Sequence, residues 1–185
     1  MWEDRDLIIN LVLMTCVWSI VSFSFYISKY QIKHLAGDIF VNSLTSSLAD
    51  VIARPIGLWF YKRMNAKPAM TSLFAIAAIG SFPIIFSEVA SDGYRTYFVP
   101  ICLFVMGTGM TATFGVLYIG HMDLFPIVFS TTSMGLCNIM ARFLTIFAPI
   151  VAEIDEPVPA TIFTILCCVA IVITLFIRKK TDKFY

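Results

Sequence analysis

Long apolar runs separated by short polar segments set the pattern of this sequence. Four runs of at least 20 residues contain no charged side chain, and two others contain charged residues. A transmembrane helix needs about 20 predominantly apolar residues, and short connections make neighbouring helices antiparallel. The chain is therefore predicted to be an all-α membrane protein with a single domain over residues 1–185. The six predicted transmembrane helices cover about 7–28, 38–61, 68–87, 96–119, 131–152 and 157–177.

The composition supports this interpretation and excludes several classes of function. Hydrophobic residues make up 59% of the 185 residues and charged residues 14%, whereas soluble domains have roughly 45–50% and about 25%. A formal net charge of +1 argues against a nucleic-acid partner. No hydrolase, metalloprotease or nucleotide-binding motif occurs. The sequence therefore predicts no enzymatic activity, no cofactor and no metal site, with the lipid bilayer as the surroundings.

The distribution of basic residues predicts the orientation in the membrane. On one side of the membrane the predicted loops contain only three basic residues, Lys29, Lys33 and Arg95. Because basic loops stay on the cytoplasmic side, this side is predicted to face away from the cytoplasm. Both termini are therefore expected in the cytoplasm of a plasma-membrane protein, or in the matrix if the membrane is the mitochondrial inner membrane. The first six residues are net acidic, unlike a signal peptide, so the first helix is expected to be retained. The basic residues on the side of the termini are Arg5, Lys62, Arg63, Lys67, Arg178, Lys179, Lys180 and Lys183.

Polar side chains recur at helical spacing on the first, second, fourth and fifth predicted helices. Spacings of three and four residues place each set on one helix face, whereas the third and sixth helices are apolar all round. We expect the four helices to surround a polar cavity with the other two outside; the alternative is that these side chains only hold the helices together. The sets include Trp18, Ser22 and Tyr26; Asn42, Ser46, Asp50 and Arg54; Thr111, Phe114 and Tyr118; and Gly135, Asn138, Arg142 and Thr145.

Three charged residues at membrane depth are the main functional candidates. A charge there costs at least ~2.5 kcal/mol on insertion scales and usually faces a bundle interior or water. Asp50 and Arg54 lie one helical turn apart and can neutralise each other or serve in ion coupling. Arg142 has no acidic residue on its own helix, so Asp50, water or an external anion must compensate it. Nearby aromatic rings can stack on a ligand or simply fill the bundle. The predicted substrate-binding residues are Arg142, Asn138, Tyr118, Trp18 and Tyr26.

Two stretches carry a resemblance to a known transporter family. The first contains Asp123–Pro126, Met134–Gly135, Met140–Arg142 and Pro149, and the second is Gly37–Asn42. Both resemble the C-terminal six-helix half of the organic ion transporters, the organic anion, cation and carnitine branch of the major facilitator superfamily. The resemblance extends over nearly the whole chain. It implies one half of a fold in which two bundles rock about a central site.

The same resemblance implies a ligand class. The position of Arg142 is basic in the branches that handle anions and zwitterions, which implies a small organic anion or a lipid phosphate. Asp123 and Pro126 correspond to a remnant of the family's gating motif, in which Ser130 replaces a cytoplasmic Arg. Two hypotheses remain. The chain is a half-size transporter that works when paired with a second six-helix bundle, or it is a non-transporting structural subunit among neighbouring membrane subunits, for example in the mitochondrial inner membrane.

Overall fold

The part of the chain that the computed structural model describes contains seven α-helices and one 3₁₀ helix of three residues, Gln31–Lys33. That part comprises residues 5–35, 37–86 and 92–177, without the side chains of residues 92–95. Of the charges that predicted the orientation, Arg95, Arg178, Lys179, Lys180 and Lys183 therefore lie outside the described side chains. The helices are α1 (Arg5–Tyr30), α2 (Ile39–Met64), α3 (Ala66–Ile85), α4 (Asp92–Leu124), α5 (Ile127–Thr145), α6 (Ala148–Ala152) and α7 (Val158–Phe176).

Five of these helices, α1, α3, α4, α5 and α7, are long and apolar enough to cross a membrane. This finding confirms the prediction of a helical membrane protein for those five segments. The 26-residue α2 is long enough but less apolar, because its polar face carries Asn42, Ser46, Asp50 and Arg54. Its crossing of the membrane therefore stays a prediction.

The fifth predicted span differs most from the structure. Residues 131–152 form not one helix but most of α5 and the short α6, with a break between Thr145 and Ala148. Pro149 explains the break, because proline has no N–H and its ring clashes with the carbonyl four residues earlier, which is that of Thr145. At its other end α5 starts early, directly after Pro126, whose carbonyl accepts hydrogen bonds from Phe129 and Ser130.

The helix α4 lies at the centre of the bundle. It packs chiefly against α2 and α3, while α3 also packs against α7, and α1 packs against α5 and α7. In the most apolar stretch of α4, 67% of the residues are buried, compared with 17% for α5. One side of α5 is therefore left uncovered by the rest of the described residues.

Glycines allow α3 and α4 to cross at close range. A Cβ atom at Gly80 would lie 2.4 Å from the backbone nitrogen of Met106, and one at Gly109 would lie 2.6 Å from that of Ala77. Small residues at such points let two helix backbones approach each other in a membrane, where dispersion contacts drive helix association. The α3–α4 contact therefore depends on the absence of side chains at these two positions.

We expect Gly80→Ala to destabilise the fold by about 1–3 kcal/mol, the usual cost of overpacking, because the added methyl group would force the backbones of α3 and α4 apart. Gly135 on α5 provides the matched control, since a Cβ there meets nothing within 4 Å. The melting temperature of each purified protein in detergent measures the effect. Equal losses in the Gly80→Ala and Gly135→Ala proteins would contradict the close crossing.

Candidate ligand-binding site

A cavity of about 460 Å³ lies between α1, α2, α4 and α5. Its walls come from the four helices that carry the polar sets, and neither α3 nor α7 contributes to them, as the sequence predicted. The volume falls in the range of ligand pockets, about 300–1,000 Å³. The lining residues are Phe25, Tyr26, Asp50, Arg54, Gly57, Leu58, Thr111, Ala112, Phe114, Gly115, Tyr118, Ile119 and Arg142.

The carboxylate of Asp50, in the cavity wall, is paired with Lys29 of α1. The Lys29 ammonium lies 2.6 Å from Oδ2 of Asp50, and the Thr111 hydroxyl donates a 2.7 Å hydrogen bond to Oδ1. Both oxygens are thus engaged from other helices. The predicted pairing of Asp50 with Arg54 is therefore wrong: the ion pair forms between helices and not along α2.

Lys29 reaches Asp50 because α1 is longer than its apolar run. The run without charges ends at Ser28, but the helix continues to Tyr30, which places Lys29 in its last turn and not in a loop. The ammonium also donates to the Ser46 hydroxyl at 2.7 Å and lies 5.4 Å from the centre of the Phe25 ring. Lys29 is not among the site residues that the sequence predicted, although its position three residues after Tyr26 places it close to the same helix face.

Arg142 projects from α5 to Tyr26 on α1. Its guanidinium donates a 2.7 Å hydrogen bond to the Tyr26 hydroxyl and lies 5.8 Å from the centre of that ring. Such a cation–ring contact stabilises by about 0.5–1 kcal/mol where it is exposed. Among the described residues Arg142 forms no salt bridge, so the alternative in which Asp50 neutralises it is also wrong.

Arg54 contributes a second guanidinium to the cavity. Its side chain is exposed, and within the described part of the chain no carboxylate lies within salt-bridge distance of it. The acidic side chain in the wall, Asp50, is already neutralised by Lys29. Arg54 and Arg142 therefore leave the described wall with two positive charges that no carboxylate balances.

Aromatic rings form the apolar part of the wall. Phe25 lies 5.8 Å from Phe114, which lies 5.6 Å from Tyr118. Trp18 is fully buried and packs edge-on against Tyr118 at 4.5 Å, so it supports the wall from behind and does not line the cavity. Asn138 is also outside the lining, and its amide donates to the Met134 carbonyl of its own helix.

Of the seven residues predicted for substrate binding or for the ion pair, the structure brings five together and leaves two apart. The cavity contains Tyr26, Asp50, Arg54, Tyr118 and Arg142, whereas Trp18 and Asn138 stand outside its walls. No group of three or more His, Cys, Asp or Glu side chains that could hold a metal occurs among the described residues.

The two residues of the gating-motif remnant lie at the end of α4, away from the cavity. Asp123 is exposed and accepts a hydrogen bond from the Tyr61 hydroxyl of α2, and Pro126 precedes the first turn of α5. The carbonyl of Ser130, in that first turn, accepts a 2.9 Å hydrogen bond from the Ser133 hydroxyl. Here Asp123 joins α2 to α4.

A second charged cluster lies outside the cavity, beyond the end of α1. Lys33 pairs with Glu153, and His34 Nε2 lies 3.3 Å from the other oxygen of Glu153. The hydrogen bond and charge of Lys33 hold the pKa of Glu153 below its ordinary value. Because these side chains are substantially exposed, screening by water makes the pair a weak contributor to stability.

Comparison with known proteins finds transporters among the relatives. No family model matches the chain. The chain is 25% identical over 93% of its length to "Solute carrier family 22 member 15-like" of Xenopus laevis, covering 36% of that protein. It is 24% identical over 97% of its length to human "Organic cation/carnitine transporter 2" and 24% identical over 90% to "Organic cation transporter protein" of Drosophila melanogaster. The chain spans about a third of the length of these curated relatives. Over most of its length it is therefore similar to one part of organic ion transporters of solute carrier family 22.

Proposed function

We propose that the chain is one bundle of a membrane transporter that moves a small organic anion when it is combined with a second bundle. The charge of the cavity carries the proposal. Two guanidinium groups line it, and the carboxylate beside them is already paired. A cavity with this charge attracts anions and repels cations.

The guanidinium of Arg142 suits a carboxylate, sulfonate or phosphate. Its planar fork can donate two parallel hydrogen bonds to two oxygens of one anionic group. The Tyr26 hydroxyl already accepts one N–H, which fixes the direction of the group and leaves its other donors free. Phe114 and Tyr118 line the same cavity, so an aromatic or otherwise apolar body suits the rest of a ligand held there.

The need for a second bundle follows from the open side of this one. Arg54 and Arg142 are exposed in the single chain, and a guanidinium that faces lipid at the bilayer centre costs at least ~2.5 kcal/mol. A second bundle would cover the cavity and keep it filled with water. The relatives are about three times as long as this chain, which leaves room in them for such a bundle. The proposal includes a sixth membrane crossing by α2, which puts both ends of the chain on the cytoplasmic or matrix side.

Substitution of Arg142 tests the anion site directly. With radiolabelled benzoate as the probe, we expect Arg142→Lys to weaken binding, because the lysine keeps the charge but lacks the fork. Arg142→Ala is expected to abolish binding while the helices remain inserted, and Arg54→Ala to weaken it. Scintillation proximity measurements on the purified protein in detergent give the dissociation constants. Circular dichroism checks that each variant remains helical.

Arg63 provides the matched control, because it is an exposed arginine in the last turn of α2, outside the cavity. Arg63→Ala should bind benzoate as the unchanged protein does. Undiminished benzoate binding by a folded Arg142→Ala protein would refute the anion site. If phosphatidic acid competes with benzoate but a range of soluble organic anions does not, the ligand is a lipid phosphate.

Transport is expected only when two bundles come together. A single bundle has nothing to rock against, so it cannot expose a site to each side in turn. Liposomes that contain the chain as a demonstrated monomer should show no saturable benzoate uptake. Uptake that appears with a homodimer, or after addition of a second six-helix chain, would support the proposal.

Saturable uptake by a demonstrated monomer would contradict the need for a second bundle. Intact benzoate binding without uptake in any combination would instead favour the non-transporting subunit. One feature already points that way, namely Ser130 at the position where the resembling family has a cytoplasmic Arg.

A further inference from the structure

We infer that Lys29 strengthens anion binding in the cavity without lining it, because it pairs with Asp50 and so keeps Arg54 available to an anion. Lys29 is thus a positioning residue for the anion site. The inference rests on the proposed anion-binding function and adds a residue that neither the sequence pattern nor the similarity to known transporters pointed to.

Both carboxylate oxygens of Asp50 already accept hydrogen bonds. Its Oδ2 accepts from the Lys29 ammonium at 2.6 Å and its Oδ1 from the Thr111 hydroxyl at 2.7 Å. The ammonium is in turn held by the Ser46 hydroxyl at 2.7 Å and by the face of Phe25. Three helices therefore fix one ion pair, whose side chains are only 25% and 30% exposed.

Arg54 occupies a position on α2 from which it could pair with Asp50. It follows Asp50 by four residues on α2, and an acidic residue four positions before a basic one is the favourable arrangement for a pair along a helix. Nevertheless the described structure contains no Asp50–Arg54 salt bridge. The Lys29 ammonium pairs with the Asp50 carboxylate, and the guanidinium of Arg54 lies in the cavity wall without a salt bridge to it.

Lys29 determines how many guanidinium groups in the cavity remain available to a ligand. With it, Arg54 and Arg142 both remain available to an anion. Without it, Asp50 becomes an unpaired carboxylate of low exposure, and such a group gains strongly from any nearby cation. Arg54 is the basic residue one turn away on the same helix, so it would turn to Asp50 and one of the two free positive charges would be lost.

A purely structural role for the Lys29–Asp50 pair makes a different prediction. Removal of Lys29 would then lower the melting temperature but would leave the anion affinity of the folded protein unchanged. The dissociation constant for benzoate therefore separates the two roles, and thermal stability alone does not.

The test uses the whole chain in detergent or nanodiscs, with radiolabelled benzoate as the anion and benzyltrimethylammonium as a cation of similar size. Lys29→Met should weaken benzoate binding about tenfold, the scale of one lost charged contact. Lys29→Arg should retain the affinity. In the Lys29→Met background, Arg54→Ala should cause no further loss, because Arg54 is already sequestered.

Removal of the carboxylate should reverse the effect. The double variant Lys29→Met/Asp50→Asn has no acid to capture Arg54, so it should bind benzoate about as tightly as the unchanged protein. Lys33→Met is the matched control: it removes the same charge one turn further along, where Lys33 pairs with Glu153 outside the cavity, and benzoate binding should not change. None of these proteins should bind benzyltrimethylammonium more tightly than benzoate.

The binding results that would refute the anion function, the role of Lys29 and the capture of Arg54 differ from one another. If the unchanged protein binds no benzoate, the proposed anion function fails. If it binds benzoate and folded Lys29→Met binds equally well, the role of Lys29 is refuted while the function stands. If the double variant stays as weak as Lys29→Met, capture of Arg54 by Asp50 is refuted. Should Lys29→Met not fold, Lys29→Gln replaces it, since its neutral amide can still donate to Asp50, and the same fall in affinity is expected.

Discussion

The compensation of charge inside a low-dielectric bundle is the constraint on which the arrangement of these helices depends. Water at the membrane surface solvates a charged group freely, whereas at membrane depth the group must find a partner, an aromatic face or a wet cavity. The Lys29–Asp50 pair meets this demand with hydroxyl groups from α2 and α4 around it. It joins α1, α2 and α4 at one point, and the cavity opens beside that point.

Arg142 and Arg54 meet the same demand in different ways. Arg142 donates a hydrogen bond to the Tyr26 hydroxyl and lies near the Tyr26 ring. These contacts orient the guanidinium but do not balance its charge. Arg54 lies exposed in the wall. The two guanidinium groups need a water-filled space at membrane depth, and their charge gives that cavity a positive electrostatic potential.

The sequence predicts the parts of this structure that depend on one helix at a time. The apolar runs indicate the transmembrane helices because the bilayer dictates their length, and the polar sets identify the four helices around the cavity. Features that depend on the contact between two helices cannot be predicted from residue spacing along one helix. Trp18 lies eight residues before Tyr26, a rotation of about 80° on a helix of 3.6 residues per turn, and the structure places it behind the wall. The partner of Asp50 depends on how far α1 extends towards α2, which no spacing along α2 reveals.

The order of helices along the chain has a consequence for how the protein is made. The neighbours α2, α3 and α4 pack mainly on one another, so they can assemble in the membrane soon after synthesis. In contrast, α1 packs on α5 and α7, which leave the ribosome roughly a hundred or more residues later, at about 5–20 residues per second. Until then the face of α1 that packs against α5 and α7 is exposed to lipid or to an insertion factor. The early bond from Lys29 to α2 is what can hold α1 beside the growing bundle during that interval.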